Sequence, residues 1–165
     1  MEKIKLFDPF TNESEKNAIK QIFDSHFWAS GEGVGKVQKF EEKFSKYTSS
    51  KSCVAVNSGT AALNLALSMY NIKNKEVIIP SLSFVSTANA VIENGGIPKF
   101  VDIDEKTLCM DPEKVLKAIS KKTKIILPVH FGGLTSNLMK ISKLCKEHKI
   151  SLVEDAAHAA GSLHQ

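Results

Sequence analysis

Within five residues, Asn57-Ser58-Gly59-Thr60-Ala61 gathers a side-chain amide, two hydroxyls and a glycine that leaves backbone N–H groups open to approach. At the amino end of a helix such a stretch binds anions, because the first N–H groups have no partner inside the helix and carry the positive end of its dipole. A phosphate suits it. Ser58 or Thr60 could equally do no more than cap that helix, and the residue types alone do not separate the two roles. Phe84 could be a platform for an aromatic ring or a core side chain, and in isolation core is the better expectation. Asp155, closing an apolar run, could hold a cation, pair with a protonated ring nitrogen, or cap a short helix over residues 156–160. His158 follows three residues later, so one helical turn brings both side chains to one side.

Other constellations fail on spacing. A metal site from Asp155, His158 and His130 is conceivable, but no HExxH or cysteine-histidine pattern supports it, and a histidine satisfied by hydrogen bonds is the expectation. No metal is expected. His148 and His164 have no context that raises them above the same expectation. The glycine-rich residues 30–36 are tempting as a nucleotide cradle. A phosphate-binding loop of the Walker kind needs glycine where Ser30 stands, serine or threonine where Val37 stands, and a strand in front, whereas a helix is predicted there. The turn after the first predicted strand carries one glycine, not the three of a dinucleotide fingerprint.

These residues have to be positioned by elements. Apolar runs at residues 53–56, 77–79, 99–101, 124–129 and 150–153 read as buried strands, and their continuity suits a parallel sheet covered on both faces. Helical patterns lie between them at 60–70, 85–93, from Asp111-Pro112 onward with Val115, Leu116 and Ile119, and at 137–148. The predicted class is α/β, a mostly parallel sheet with helices on both faces. In such sheets ligands bind beyond the carboxyl ends of the strands. Residues 57–60, 80–84, Asp102 and Asp104, His130, and Glu154-Asp155 with His158 follow the five strands in turn, on one rim. Residues 1–50 form a helical lead-in, with helices at 14–27 and 37–47 around a loop at 30–35, and residues 51–165 form the sheet domain.

Composition sets outer bounds. The 165 residues suffice for one domain with a core, and 42% hydrophobic with 24% charged is ordinary for a globular protein. No apolar run is long enough to span a bilayer and no signal pattern opens the chain, so no membrane partner and a cytoplasmic location are expected. Cys53, Cys109 and Cys145 are scattered and fit reduced thiols. The net charge of +4 comes without a single arginine, which argues against nucleic acid as a partner.

Ordered along the chain, Gly33 with Phe40-Glu41, VNSGTAAL at 56–63, EVIIPSLSFVSTANAV at 76–91, IPKFVDID at 97–104, KTKIILPVHFGG at 122–133 and VEDAAHAAGS at 153–162 resemble the DegT/DnrJ/EryC1/StrS family of sugar aminotransferases. The resemblance implies the amino-terminal part of the large domain of a fold type I pyridoxal-phosphate enzyme, with residues 51–165 an incomplete cofactor-binding domain. It implies pyridoxal 5'-phosphate as cofactor. Its phosphate would lie on the backbone of Gly59, Thr60 and Ala61, its ring against Phe84, its ring nitrogen on Asp155 and its phenolic oxygen on His158. The family's Schiff-base lysine is expected on a later strand, past a glycine-rich segment following Ser162, so no catalytic residue is assigned within these 165 residues. Lys121 and Lys124, before or at the start of a strand, belong to the opposite rim. The stretch Gly132 to Asn137 departs from the family's usual glycine-glutamine segment, which bears on substrate contacts from that loop.

By resemblance, the full-length form would transfer an amino group from glutamate to a keto group of a nucleotide-linked sugar, as a homodimer. Two alternatives stay open: a family dehydratase, and a catalytically inactive fragment that binds at most a cofactor or a partner.

Overall fold

The computed structural model describes residues 8–28 and 35–163. The chain forms two compact units, Met1–Ala55 and Val56–Gln165. The first holds α1 (Glu13–Ser25) and α2 (Lys36–Tyr47). α1 starts at a capping box: Asn12 accepts from the Ser14 N–H while the Glu15 carboxylate takes the Asn12 N–H. α2 carries a Phe40–Phe44–Tyr47 aromatic stripe at helical spacing. The loop expected at 30–35 and the glycine-rich cradle fall almost wholly outside the described residues; so does His164.

One expected strand is absent. Residues 53–56 pair with nothing among the described residues, and Val54 and Val56 are exposed. Apolar, β-branched residues favour extended backbone, but a strand also needs a neighbour to take its N–H and C=O groups. Here the Ala55 N–H goes instead to Glu41 Oε1 at 2.8 Å.

The second unit is a three-layer α/β/α sandwich. Its sheet comprises β1 (Glu76–Pro80), β2 (Ile97–Val101), β3 (Thr123–Ile126) and β4 (Ser151–Leu152), all parallel, in the order β2-β1-β3-β4. Alternate side chains serve opposite layers. Val77, Ile79, Ile125 and Leu127 pack with Leu63 and Leu67 of α3 (Gly59–Ser68) and Ala90 and Val91 of α4 (Val85–Glu93). Ile78 and Ile126 turn the other way, onto Val115 of α5 (Pro112–Ala118) and Ile141 and Cys145 of α6 (Leu138–His148). Continuous apolar runs are required for this double coverage, which is why β1 is buried throughout except at Glu76.

β2 and β4 correct the expectation of uniformly buried strands. β2 is an edge strand, and Phe100 is 58% exposed. β4, at the other edge, is partly buried. The helix at 85–93 forms as expected, with Gly95 at φ +75 closing its end. Asp111 caps α5 by accepting from the Glu113 N–H at 2.8 Å.

From β1 the chain crosses by α4 to β2 on one side, then passes back over β1 by α5 to reach β3 on the other. That reversal opens a crevice beyond the carboxyl ends of β1 and β3, where ligands bind in sheets of this kind.

Candidate functional site

A cleft of about 390 Å³ fills that crevice, and Gly59, Thr60, Ser83, Phe84, Asp155 and His158 are among its walls. Five of the six residues singled out as cofactor contacts therefore meet in one place. The sixth, Ala61, is not on the wall.

The floor at one end is the start of α3. Ser58 Oγ accepts from the Ala61 N–H at 3.2 Å, so the capping role is realised. Ser58 C=O takes the Ala62 N–H at 3.0 Å. The N–H groups of Gly59 and Thr60 have no partner among the described residues. The cap therefore leaves two donors over in the same turn, at the positive end of the helix dipole. A Cβ placed on Gly59 would meet nothing within 4 Å, so approach to these donors is open.

Phe84 precedes α4 and is 74% exposed, which overturns the expectation of a core residue. The turn after β1 lifts its ring clear of both core layers. Flat apolar area in a cleft wall suits a flat aromatic guest.

Asp155 is 8% exposed and is held from every side. Its backbone continues the β3–β4 ladder, giving its N–H to Pro128 C=O at 2.9 Å and taking the His130 N–H at 3.1 Å. Oδ1 accepts from the Ala157 N–H at 3.2 Å, and Oδ2 from the Thr87 hydroxyl at 3.1 Å. The helix expected over 156–160 does not form; the chain makes successive turns, Ala159 N–H to Ala156 C=O and Ser162 N–H to Ala159 C=O. Five residues are too few to repay helix nucleation once Asp155 has taken the Ala157 N–H.

His158 still reaches the cleft, fixed by the loop opposite. The Gly132 N–H donates to His158 Nδ1 at 3.3 Å, and the Phe131 ring packs edge-on at 5.8 Å. An Nδ1 that accepts leaves the ring proton on Nε2. His158 therefore offers an N–H donor. Gly133, at φ +86, brings that loop close: an added Cβ would lie 3.0 Å from the His158 carbonyl oxygen.

His130 is buried and does structural work. The Ser136 N–H donates to its Nδ1 at 3.1 Å, so Nε2 carries the proton and donates a hydrogen bond to Glu154 Oε2 at 2.9 Å. Asp102 and Asp104 lie away from this cleft. Asp102 accepts from its neighbours Ile103 N–H and Ser81. Asp104 Oδ1 takes the Lys106 and Thr107 N–H groups and the Thr107 hydroxyl, and these bonds, those from Thr107 foremost, hold its carboxyl below the usual range. A larger opening of about 480 Å³ beside Asp104 and Asn137 has no aromatic ring in its lining. Among the described residues, no group of three His, Cys, Asp or Glu is placed to hold a metal ion.

Sequence reasoning missed Thr87 and Phe131. Thr87 stands one helical turn after Phe84, a spacing that could have flagged it; Phe131 follows His130, where an aromatic residue carries no signal of its own.

The sequence model of the DegT/DnrJ/EryC1/StrS aminotransferase family matches residues 9–165. The spore coat polysaccharide biosynthesis protein SpsC of Bacillus subtilis is 41% identical over 152 residues, 92% of this chain and 38% of that protein. The structure of 3-amino-5-hydroxybenzoic acid synthase superimposes with a TM-score of 0.88 at 33% identity, over 93% of this chain and 40% of its own. A GDP-4-keto-6-deoxymannose-3-dehydratase, solved with a trapped PLP-glutamate geminal diamine, gives a TM-score of 0.87 at 31% identity, over 95% of this chain and 42% of its own. The chain spans about two fifths of the length of the curated relatives it matches.

Proposed function

The chain belongs to the DegT/DnrJ/EryC1/StrS aminotransferase family, and from that premise we propose that it supplies the cofactor-holding part of an enzyme that moves an amino group, with glutamate as donor, onto a keto group of a nucleotide-linked sugar. The family's cofactor is pyridoxal 5'-phosphate. One observation carries the reading: two unpartnered helix N–H groups, an exposed ring and a buried, doubly anchored carboxylate converge on a single cleft.

The donor set fits the cofactor. The Gly59 and Thr60 N–H groups would bind the phosphate. Phe84 would cover one face of the ring and exclude water from it. Asp155 would hold a proton at the ring nitrogen, a charge-assisted bond from a carboxylate that is itself buried. His158 Nε2–H would donate to the phenolic oxygen, the sense its Gly132 contact dictates. Bound pyridoxal 5'-phosphate supplies an electron sink for the carbanion formed at the amine-bearing carbon. A keto sugar and the amino donor are then partners of the whole enzyme, as is a second subunit. The dehydratase structure favours a second reading, loss of water from the sugar in place of amino transfer.

Pyridoxamine 5'-phosphate tests the site, because its binding needs no covalent link to protein. Saturable binding is expected, weakened at least tenfold by Asp155→Ala, about 1.4 kcal/mol or more. Binding that is absent, or indifferent to Asp155→Ala, would sink the assignment. Nitrogen from labelled glutamate appearing in the sugar product of the whole enzyme separates transfer from dehydration.

A further inference from the structure

Thr87 occupies the third position of α4 and is 0% exposed. A buried helical threonine commonly turns its hydroxyl back onto the carbonyl four residues earlier. This one reaches across to another element, donating to Asp155 Oδ2 at 3.1 Å. Its oxygen also receives the Ser83 hydroxyl at 2.6 Å.

The direction of the chain is forced. A carboxylate only accepts, so the Thr87 proton points at Asp155; the Thr87 lone pair is then free for the proton of Ser83. Ser83 has a competing contact with Phe84 C=O at 3.2 Å, much longer than the 2.6 Å bond to Thr87. With the Ala157 N–H on Oδ1 and Thr87 on Oδ2, both ends of the carboxylate are tied and its plane cannot turn. Valine has the same outline as threonine and a stiffer helix rotamer, so packing gives no reason for a hydroxyl here.

We propose that Thr87 is a positioning residue that fixes the Asp155 carboxylate for the ring nitrogen of the cofactor, with Ser83 orienting the Thr87 hydroxyl. The proposal rests on the reading of Asp155 as the ring-nitrogen partner. A carboxylate anchored at both oxygens meets the ring nitrogen without reorganising, whereas one held only by Ala157 can rotate away.

The test uses the chain with pyridoxamine 5'-phosphate labelled with ¹⁵N in the ring, whose chemical shift reports whether that nitrogen carries a proton. For Thr87→Val the expected result is about tenfold weaker binding and loss of the bound ring proton about one pH unit lower. Thr87→Ser restores both, since it keeps the hydroxyl. Ser83→Ala moves the ring titration the same way by less.

A ring titration unchanged in Thr87→Val overturns the proposal, as does a Thr87→Ser that behaves like valine. Should Thr87→Val fail to fold by circular dichroism, Ser83→Ala decides, and an unshifted ring titration there counts against it. Asp155→Ala is the reference. If it too leaves the ring titration in place, the role given to Asp155 is what has failed; if it shifts the titration and Thr87→Val does not, only Thr87 is wrong.

Discussion

Phe84 is the residue for which isolation misleads most. A phenylalanine between a strand and a helix is ordinarily core, yet this one stands 74% exposed on the wall of the cleft. An exposed ring contributes little to folding, so Phe84→Ala is expected to leave the thermal unfolding midpoint unchanged while weakening pyridoxamine 5'-phosphate binding about tenfold, read by calorimetric titration. Asp155 was legible as a candidate because it closes an apolar run and ligands gather at strand ends, and Gly59 and Thr60 because a small, hydroxyl-bearing turn opens α3, although the run before them forms no strand. Thr87 was not singled out: its spacing one turn after Phe84 places it near the same rim, but that its hydroxyl faces Asp155 depends on how α4 packs against a segment 68 residues later. The expected contact at Ala61 meets an N–H already taken by Ser58.

At the level of elements, Glu76 ties three strands together at the rim opposite the cleft. Its Oε2 accepts from Ser120 at 2.6 Å, from Thr123 at 3.2 Å and from Lys99 at 3.2 Å. The Ser120 bond, then Lys99 and Thr123, hold this carboxyl below its ordinary value of 4.5 against the opposing effect of burial. A depressed carboxyl stabilises the fold above the unfolded value and ceases to do so as pH falls through the folded one. Glu76→Gln should therefore cost about 1 kcal/mol at neutral pH and flatten the acid limb of the stability curve below about pH 4.5, measured by urea unfolding across pH. The strand at 77–79 was readable as a double-sided apolar run, and so was the one expected at 124–129, of which Thr123–Ile126 is strand. Residues 53–56 have the same composition and form no strand, because composition selects extended backbone while pairing depends on what lies alongside.

The second unit places β1 between β2 and β3, with β2 and β4 at the margins. Val77, Ile78 and Ile79 are wholly buried, while Ile97 and Phe100 of β2 are largely exposed. Amide exchange should follow the same gradient, slowest at Val77, Ile78 and Ile79 and faster in β2 and β4; equal rates across the sheet would contradict it. The α/β class and helices on both faces followed from periodicity. The order of the strands did not, because a parallel sheet leaves no mark in the sequence of which neighbour each strand takes.

That order also decides the sequence of events during synthesis. Glu76 pairs with Ile97 and with Thr123, both of which emerge later. A nascent chain must add about twenty residues before the most apolar strand gains its first neighbour and nearly fifty before it gains the second, a wait of about 1 to 10 seconds at ordinary elongation rates. Until β2 arrives β1 has no strand partner, and until β3 arrives one of its edges stays open, so α3 and α4 are the first shelter its apolar side chains can find, and chaperone dependence should centre on this stretch of translation.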